Sequence, residues 1–437
     1  MEFGLIGEKL GHSFSKDIHG RLGGYAYELR ELRPEEVGEF VRERAFRGIN
    51  VTIPYKETVI PMLDEVSERA KAIGAVNTIV NDGGRLLGDN TDFGGMQALM
   101  RRYGIEVEGR KVLVLGSGGT SKTATAVAKA LGVASVNRVS RTKRDNCITY
   151  EEAYEEHSDA DVIINTTPVG MFPNNDACPI DIEHFPKLSG VVDAIYNPLR
   201  TRLVSEARRR GIAAAGGLYM LVAQAVLAAA RFARVMTPAD NGAGGSLAER
   251  LATEEAITAE TDRIFREIVR EKESIVLTGM PGAGKTTVGR MLAEQLGREF
   301  VDSDDVIVQR SGCDIPTIFV EQGEKAFREL EAEVIRDLSA QGGRVIATGG
   351  GAVLRADNVE ALRSNGRVYF LDRDPERITA TNGRPLSSNR EALMQRYRER
   401  YGIYCATCDT RIACDGTAED AARQIAEEYF SKNEVTL

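Results

Sequence analysis

The clearest chemical signature in this sequence is a glycine-rich loop, GMPGAGKTT, that lies between the apolar run SIVLTG and the helical run VGRMLAEQL. It matches the pattern G-x-x-x-x-G-K-[ST], in which backbone amides cradle phosphates, the lysine meets the terminal phosphates and the hydroxyl binds magnesium. The pattern predicts a nucleotide site, with Lys285 as the cation and Thr286 as a ligand of Mg²⁺. The predicted nucleotide-binding residues are Gly279, Gly282, Gly284, Lys285, Thr286 and Thr287.

Another glycine-rich loop occurs earlier in the chain, in VLVLGSGGTSKTA, where Gly116, Gly118 and Gly119 separate an apolar strand from a helix. Glycines at such a position let the pyrophosphate of a dinucleotide approach the amides at the start of the helix. The same residues could form a tight turn in an unrelated α/β fold. The loop alone therefore leaves both interpretations open.

The basic segment NRVSRTKRD indicates which dinucleotide this loop would bind. In NAD-binding folds an acidic residue about 20 positions after the loop holds the ribose 2'-hydroxyl, whereas an arginine accommodates a 2'-phosphate. Arg141, Thr142 and Arg144 are the predicted contacts here. Lys143 lies among them, and no acid precedes Asp145. The segment favours NADP, while a solvated basic turn would leave the choice of cofactor open.

The elements around the earlier loop predict two α/β lobes. Residues 1–100 alternate short strands, such as GLIG and GINVTIP, with helices. A new strand, KVLVLG, opens a second, nucleotide-binding lobe over residues 101–217, and strands continue through VIINTTP and GVVDAIY. Helices at about 218–273 are expected to complete the first lobe, because the last of them carries an apolar stripe.

Two further segments complete the predicted organisation. Residues 240–256 include NGAGGS, which is rich in Gly and Ala and lacks a periodic apolar pattern, so a flexible insertion is expected there. The strand SIVLTG then opens a domain over residues 274–437. The predicted fold class is α/β throughout: a substrate lobe, a Rossmann-like NADP lobe, and a parallel P-loop domain of the nucleoside monophosphate kinase type.

The composition sets limits on function. The chain has 437 residues, 42% of them hydrophobic and 28% charged, which is typical of a globular protein with a packed core. A net charge of -9 argues against a general binder of nucleic acid or anionic membranes. The six cysteines lie unevenly over a long chain, unlike those of a disulfide-rich secreted domain, and no signal peptide begins the sequence, so a cytoplasmic location is expected. The apolar run 212–230 is interpreted as a buried helix rather than a membrane span.

The first half of the chain resembles the shikimate dehydrogenase family. The motifs that carry the resemblance are GEKLGHSFS, GINVTIPYKE, GAVNT, GDNTDFGG, GSGGTS, NTTPVGM, DAIYNP and GGLYMLVAQA, in the order of the family. They span residues 1–234. Their number and order make chance agreement implausible, which a glycine loop alone could not do.

This resemblance implies a set of functional residues for ketone reduction. Lys56 and Asp92 would be the catalytic pair, because an ammonium held by a carboxylate can give a proton to the oxygen while hydride reaches the carbon. The implied ligands of the cyclohexene acid are Ser13, Ser15, Thr52, Asn77, Tyr196 and Gln224.

The second half resembles shikimate kinase, through FVDSDD, FVEQGEKAFRELE, ATGGGA, GRPL and RYGIY over residues 274–430. By this resemblance Asp302 supports magnesium and Asp304 binds the hydroxyls of the acceptor and assists deprotonation. Arg384 would reach the transferred phosphate from a lid. The implied residues of the acceptor site also include Arg328, Gly349, Gly350, Gly351 and Arg400.

Together the resemblances imply reduction of 3-dehydroshikimate with NADPH, followed by phosphorylation of shikimate with ATP and Mg²⁺. One alternative is a quinate/shikimate oxidoreductase fused to the kinase. Another is a sensor that binds shikimate without turnover, although intact Lys285, Asp302 and Asp304 weigh against it. Small molecules are the expected partners, and the sequence leaves the oligomeric state unknown.

Overall fold

The computed structural model describes residues 1–11, 13–143, 146–237, 246–378 and 390–431. Contacts between Cα atoms divide the chain into two units. Unit 1 consists of Met1–Met171, Ala177–Asn197 and Leu203–Phe265, and unit 2 consists of Phe172–Asp176, Pro198–Arg202 and Arg266–Leu437.

The first sheet of unit 1 is mixed. Its strand order is β2-β1-β3-β5-β6-β4, with β5 antiparallel to both β3 and β6. All five residues of β1, FGLIG, are buried, as expected for a strand that is covered on both faces. The strands are β1 (Phe3–Gly7), β2 (Glu28–Glu31), β3 (Gly48–Val51), β4 (Glu65–Val66), β5 (Thr78–Asp82) and β6 (Arg85–Asp89). The helices of this region are α1 (Ser15–Leu22), α2 (Pro34–Glu43), α3 (Glu68–Ile73) and α4 (Thr91–Arg102).

The second sheet of unit 1 is fully parallel, in the order β12-β11-β10-β7-β8-β9. Strand order reverses between β7 and β10, and in such sheets ligands bind at the carboxyl ends of the strands beside this reversal. The strands are β7 (Lys111–Leu115), β8 (Ser135–Val139), β9 (Cys147–Ile148), β10 (Val162–Asn165), β11 (Gly190–Asp193) and β12 (Ala213–Ala215). The helices are α5 (Gly119–Ala130), α6 (Tyr150–Glu156), α7 (Arg202–Arg209) and α8 (Leu218–Phe232).

Helix α8 is the apolar run that the sequence analysis assigned to the core. The window Leu218–Val235 has the length and composition of a membrane-spanning helix, and 67% of it is buried within the protein. Its residues pack against α4, α1 and the first sheet. This burial is typical of a core helix.

The segment after α8 differs from the expected insertion. Residues 238–245 lie outside the described residues, but α9 (Leu247–Arg250) and α10 (Glu254–Lys272) occupy most of the remainder. Ser246 begins α9 with a capping box, in which its hydroxyl accepts from the Glu249 amide at 3.1 Å. The sequence S-L-A-E carries this signal, so the expectation of a flexible segment through residue 256 is corrected for residues 246–256.

Unit 2 contains a five-stranded parallel sheet in the order β14-β15-β13-β16-β17. The strand that precedes the phosphate-binding loop, β13, is central, and β16 lies beside it. The strands are β13 (Ser274–Thr278), β14 (Phe300–Asp302), β15 (Val345–Ala347), β16 (Gly366–Asp372) and β17 (Thr410–Ala413). The helices are α11 (Lys285–Leu296), α12 (Ser303–Ser311), α13 (Ile315–Glu321), α14 (Gly323–Ala340), α15 (Ala356–Asn365), α16 (Arg390–Thr407) and α17 (Ala418–Ser431). The predicted α/β class is therefore confirmed.

The division between the units falls inside α10 rather than at the predicted position between residues 273 and 274. Unit 2 also includes the short stretch Pro198–Arg202. From this stretch Arg200 donates hydrogen bonds to the carbonyls of Arg363 and Gly366, at 3.0 and 3.1 Å, and forms an ion pair with the fully buried Glu273. These contacts are separated by 73 or more positions along the chain and leave no local pattern in the sequence.

Candidate active sites

Lys56 and Asp92 form an ion pair in unit 1. Lys56 lies in the turn after β3, and Asp92 lies in the first turn of α4. The Lys56 Nζ is 2.6 Å from Oδ2 of Asp92, and the two side chains are 15% and 11% exposed. The start of α4 is fixed because the Asn90 side chain accepts from the Phe93 amide at 3.2 Å. Lys56 and Asp92 are therefore a partly desolvated ion pair, and the capped start of α4 fixes the position of the carboxylate.

A network of buried amides and hydroxyls lies next to Asp92 along the chain. The Oδ1 atom of Asn77 accepts from the Thr91 amide at 2.7 Å, and its Nδ2 donates to Oγ1 of Thr91 at 3.1 Å. The same Nδ2 is 3.5 Å from Oε1 of Gln224 on α8. Asn77 and Gln224, two of the residues implied by the resemblance, are therefore brought together.

A glycine allows α4 to approach α8 closely. A Cβ at Gly95 would lie 2.7 Å from the Met220 carbonyl oxygen and 3.0 Å from Cβ of Gln224. Only a residue without a side chain fits this contact without a shift of the backbone. The motif GDNTDFGG thus supplies both the carboxylate and the close helix packing that places Gln224 near Asn77.

The remaining predicted substrate ligands lie around the start of α1 and the ends of two strands. Ser15 begins α1, and its amide donates to Oγ of Ser13 at 3.2 Å. Tyr196, after β11, lies near this region, because its ring contacts that of Phe14 in a tilted arrangement with centroids 5.2 Å apart. Burial raises the pKa of Tyr196, so its hydroxyl stays protonated at neutral pH. Thr52 follows β3, where its amide donates to the Ile6 carbonyl at 3.0 Å.

The first glycine loop lies at the carboxyl end of β7 and leads into α5. Gly116 has φ of 115°, and a Cβ there would lie 2.7 Å from Oγ1 of Thr166, so the position requires glycine. Gly118 is the cap of α5, and the position of a Cβ on Gly119 is 3.9 Å from Cδ of Lys56. The catalytic pair predicted from the sequence therefore lies against the predicted dinucleotide loop.

The predicted 2'-phosphate contacts lie in the turn after β8, the strand beside β7. Arg141 and Thr142 are exposed in this turn. Lys143 is also exposed and forms an ion pair with Glu152. Arg144 lies outside the described residues.

In unit 2 the phosphate-binding loop connects β13 to α11. Gly279, Gly282 and Gly284 have φ of 142°, 85° and 95°, a conformation that side chains disfavour. Lys285 is 9% exposed, and its ammonium donates to the carbonyls of Gly279 and Met280 at 2.9 and 3.0 Å. The lysine is therefore held at the inner side of its own loop.

The two predicted magnesium ligands are in contact. Oγ1 of Thr286 donates to Oδ2 of Asp302 at 2.8 Å, and Oδ1 of Asp302 accepts from the Asp304 amide at 3.1 Å. A hydroxyl beside a carboxylate, both lining a cavity next to the phosphate-binding loop, is an oxygen set that Mg²⁺ accepts together with phosphate oxygens and water. Thr286 and Asp302 therefore fit a Mg²⁺ ion.

A cavity of about 590 Å³ extends from this loop between α12, α13, α14 and α16. Its lining includes the predicted residues Asp302, Asp304, Arg328, Gly349, Gly350, Gly351 and Arg400, together with Thr287 of the loop. The cavity thus joins the predicted nucleotide and acceptor sites. Arg384, predicted to act on the transferred phosphate, lies outside the described residues.

The three consecutive glycines shape this cavity. A Cβ at Gly349 would lie 2.6 Å from Oδ1 of Asp304, and a Cβ at Gly351 would lie 2.3 Å from Nη1 of Arg328. At Gly350 it would meet the ring of Pro281 at 2.7 Å. The run of glycines therefore leaves room for both an acid and a guanidinium at the cavity wall.

Arg328 and Arg400 are fixed by different partners. Nη1 of Arg328 donates to Oε2 of Glu331 at 2.8 Å, and Nη1 of Arg400 donates to the Gly350 carbonyl at 3.0 Å. Burial raises the pKa of Glu331, while Arg328 opposes that rise. Oε1 of Glu331 is buried and has no hydrogen-bond partner within the described part of the chain, which leaves an acceptor at the cavity wall.

Two family models match separate parts of this chain. The model of the shikimate dehydrogenase substrate binding domain matches residues 5–79, and the shikimate kinase model matches residues 281–432. The shikimate dehydrogenase (NADP(+)) of Clostridium beijerinckii is 38% identical over 245 residues, which cover 52% of this chain and 90% of that protein. The chain belongs to the shikimate dehydrogenase family.

Further relatives extend the comparison to solved structures. The shikimate dehydrogenase (NADP(+)) of Geobacillus kaustophilus is 39% identical over 248 residues, 52% of this chain and 90% of that protein. A crystal structure of a chorismate mutase/shikimate 5-dehydrogenase fusion protein from Clostridium acetobutylicum has 35% identity and a TM-score of 0.53, covering 61% of this chain and 96% of that chain. The predicted pairing of a dehydrogenase with a kinase domain is confirmed.

Some residues of the two sites were missed by the sequence analysis. Arg396, one turn before Arg400 on α16, also lines the kinase cavity. Burial and the charge of Arg400 lower the pKa of its guanidinium. In the dehydrogenase half, Lys122 on α5 forms a 2.7 Å ion pair with Glu57, the residue after Lys56. The helical spacing of Arg396 and Arg400 is visible in the sequence, but the face that meets the cavity is not.

Proposed function

We propose that this chain reduces 3-dehydroshikimate with NADPH and then phosphorylates shikimate with MgATP. The observation that carries the proposal is that one chain contains the Lys56–Asp92 pair beside a dinucleotide loop and a phosphate-binding loop that opens into an arginine-lined cavity. Membership in the shikimate dehydrogenase family and the match to the shikimate kinase model support the choice of substrates.

In the dehydrogenase half, bound NADPH supplies the hydride that reaches the carbonyl carbon of 3-dehydroshikimate. Lys56 donates a proton to the carbonyl oxygen, and Asp92 holds the ammonium in place at 2.6 Å. Asn77 and Gln224 orient the ring through its hydroxyls, while Ser13, Ser15 and Tyr196 bind the carboxylate end. Arg141 compensates the charge of the 2'-phosphate, which supports NADPH rather than NADH.

In the kinase half, the acceptor hydroxyl attacks the γ-phosphorus of ATP as the bond to ADP breaks. Asp304 accepts the proton of that hydroxyl, and Arg328 and Arg400 hold the carboxylate of shikimate away from the phosphate. Lys285 moves from the loop carbonyls onto the terminal phosphates. Thr286 and Asp302 would hold Mg²⁺, which neutralises phosphate charge when it is bound.

The cytoplasm is the proposed location of both reactions. All six cysteines are free thiols in the structure, as is common in a reducing compartment.

A single incubation tests the proposal. The full chain is mixed with 3-dehydroshikimate, NADPH and MgATP, and the loss of NADPH absorbance and the formation of phosphorylated product are followed separately. We expect one NADPH and one ATP consumed for each phosphorylated product. Consumption of NADPH without a phosphate ester would contradict the kinase assignment, and ADP formation from added shikimate without any NADPH oxidation would contradict the dehydrogenase assignment.

A further inference from the structure

An arginine that the mechanism above does not use lies against the phosphate-binding loop of unit 2. Strands β13 and β16 are adjacent and parallel, with Thr278 paired to Phe370 at their carboxyl ends. The loop that follows β13 and the residues that follow β16 must therefore lie side by side. Arg373 is the first residue after β16.

The packing at this edge is close. A Cβ at Gly279 would lie 2.7 Å from the Leu371 carbonyl oxygen, so the loop begins directly against the end of β16. The position of a Cβ on Gly284, the residue that caps α11, is 3.7 Å from Nη1 of Arg373. The guanidinium thus lies beside the part of the loop from which amides and Lys285 face a bound phosphate.

The described residues around Arg373 leave one donor of its guanidinium unsatisfied. Its side chain is half-buried, and Nε is buried without a hydrogen-bond partner in the described part of the chain. The neighbouring carboxylates are engaged elsewhere: Asp372 pairs with Arg411 at 2.8 Å, and Asp374 accepts from the Glu376 amide at 2.9 Å. Burial raises the pKa of the nearby Cys414 thiol to about 11, so this thiol is neutral at pH 7 and offers no counter-charge.

A buried guanidinium N–H without a hydrogen bond is unfavourable unless a ligand accepts from it. Phosphate oxygens do so well, because the planar guanidinium can donate two parallel hydrogen bonds to them. We infer that Arg373 binds the polyphosphate of the nucleotide, as a second cation beside Lys285. This inference rests on the proposed kinase function and adds a phosphate contact to it.

The test is calorimetric titration of the full chain with ATP, ADP, AMP and adenosine in the absence of acceptor. Arg373→Met keeps the length of the side chain and removes its charge and donors. We expect the Kd for ADP and ATP to rise about 10- to 100-fold, as for loss of a hydrogen bond to a charged group, and the Kd for adenosine to stay unchanged. Arg411→Met is the matched control, because its guanidinium already pairs with Asp372, and its ADP affinity should equal that of the parent chain.

Unchanged ADP affinity in Arg373→Met would overturn the inference, and so would an equal loss of adenosine affinity, which would assign the residue to the nucleoside. NADPH-dependent reduction and thermal unfolding check the folding of each variant. If Arg373→Met is unstable, Arg373→Gln is titrated in its place with the same two criteria. If the parent chain binds no ADP, the proposed kinase function itself is contradicted. If the parent chain binds ADP and Arg373→Met binds it equally well, only the inference about Arg373 is contradicted.

Discussion

In unit 1 the lysine of the candidate site is paired with a carboxylate, whereas in unit 2 the lysine of the phosphate-binding loop is held by two backbone carbonyls. The first arrangement balances the ammonium charge within the site. In the second, the ammonium of Lys285 contacts two carbonyls of its own loop, and Arg328, Arg396 and Arg400 line the cavity beside that loop.

This difference follows the charge of the transferred group. Reduction of a ketone moves a hydride and a proton, so the site must place one proton donor without accumulating charge. Phosphoryl transfer moves a group with several negative charges, so the site needs cations and amides that stabilise this charge in the transition state. The same type of side chain therefore has two roles, and what surrounds it decides which one.

The largest expected effect is loss of Lys285. Lys285→Ala removes the cation predicted to meet the terminal phosphates, and an arginine that stabilises the same transferred group in GTPases is worth about 10³- to 10⁵-fold in rate. Phosphorylation of shikimate should fall by that order, while NADPH consumption with 3-dehydroshikimate stays at the parent rate. Coupled assays of ADP release and of NADPH absorbance measure the two effects on one sample. A parallel loss of both activities would mean that the two sites are not separate.

The reciprocal change should have a somewhat smaller effect. Lys56→Ala removes the proposed proton donor, and general acid catalysis contributes about 10²- to 10⁴-fold. We expect kcat for reduction to fall by that order, with ADP formation from shikimate unchanged. Asp92→Asn, which keeps the size of the side chain but not the charge, should lower kcat less. Near-parent reduction by Lys56→Ala would be inconsistent with its assigned role.

A smaller effect is expected for the cofactor preference. The double change Arg141→Ala and Arg144→Ala removes the cations proposed to face the 2'-phosphate, so KM for NADPH should rise about 10- to 100-fold while KM for NADH stays constant. Lys143→Ala is the control, because Lys143 already pairs with Glu152. A parent enzyme that favours NADH would contradict the interpretation of this segment.

The smallest effect concerns acid stability, where the units also differ. His19 is fully buried, and burial lowers its pKa from 6.5 to about 3. The unfolded chain binds a proton at His19 more readily than the folded chain does. The contribution of His19 to the free energy of unfolding is therefore fully present above pH 6.5 and is lost as the pH falls toward 3. Unit 2 has no histidine in its sequence.

Between pH 6.5 and 5 we expect unit 1 to lose about 1.4 kcal/mol of unfolding free energy per pH unit, with a smaller slope for unit 2. Urea unfolding at several pH values, followed by the loss of each activity, measures the two slopes. His19→Gln should flatten the slope of unit 1, whereas His184→Gln, at an exposed site, should not. Equal slopes for the parent and His19→Gln would count against this explanation.

Contiguous motifs made much of both sites predictable. The phosphate-binding loop and the capping of α4 depend on residues a few positions apart, so their geometry can be expected from local backbone rules. Local backbone rules do not predict the Lys56–Asp92 and Thr286–Asp302 contacts, because 36 and 16 positions separate the partners along the chain. The family resemblances supplied Lys56, Asp92 and Asp302, the phosphate-loop pattern supplied Thr286, and composition or periodicity alone would have supplied none of them.

The residues that were missed depend on tertiary packing. In the sequence, Arg396 cannot be distinguished from the other charged residues of its helix. Only the packing of α16 beside the glycine run shows that it lines the cavity. Arg373 follows a buried strand and has no motif, so its position beside Gly284 comes only from the order of the strands in the sheet. Helix α9 was also missed, but it could have been predicted, because its capping box is present in the sequence.

The composition of unit 2 has a consequence for how such a gene could be divided. Unit 2 includes Arg200 from the middle of the sequence and Glu273 from just before β13, so a single break between residues 200 and 273 separates the two partners. Loss of one member of a buried ion pair typically costs about 3–5 kcal/mol. A gene split inside α10, where the two units divide, would therefore encode a kinase fragment that is less stable than unit 2 of the intact chain, because Glu273 would lose its partner Arg200.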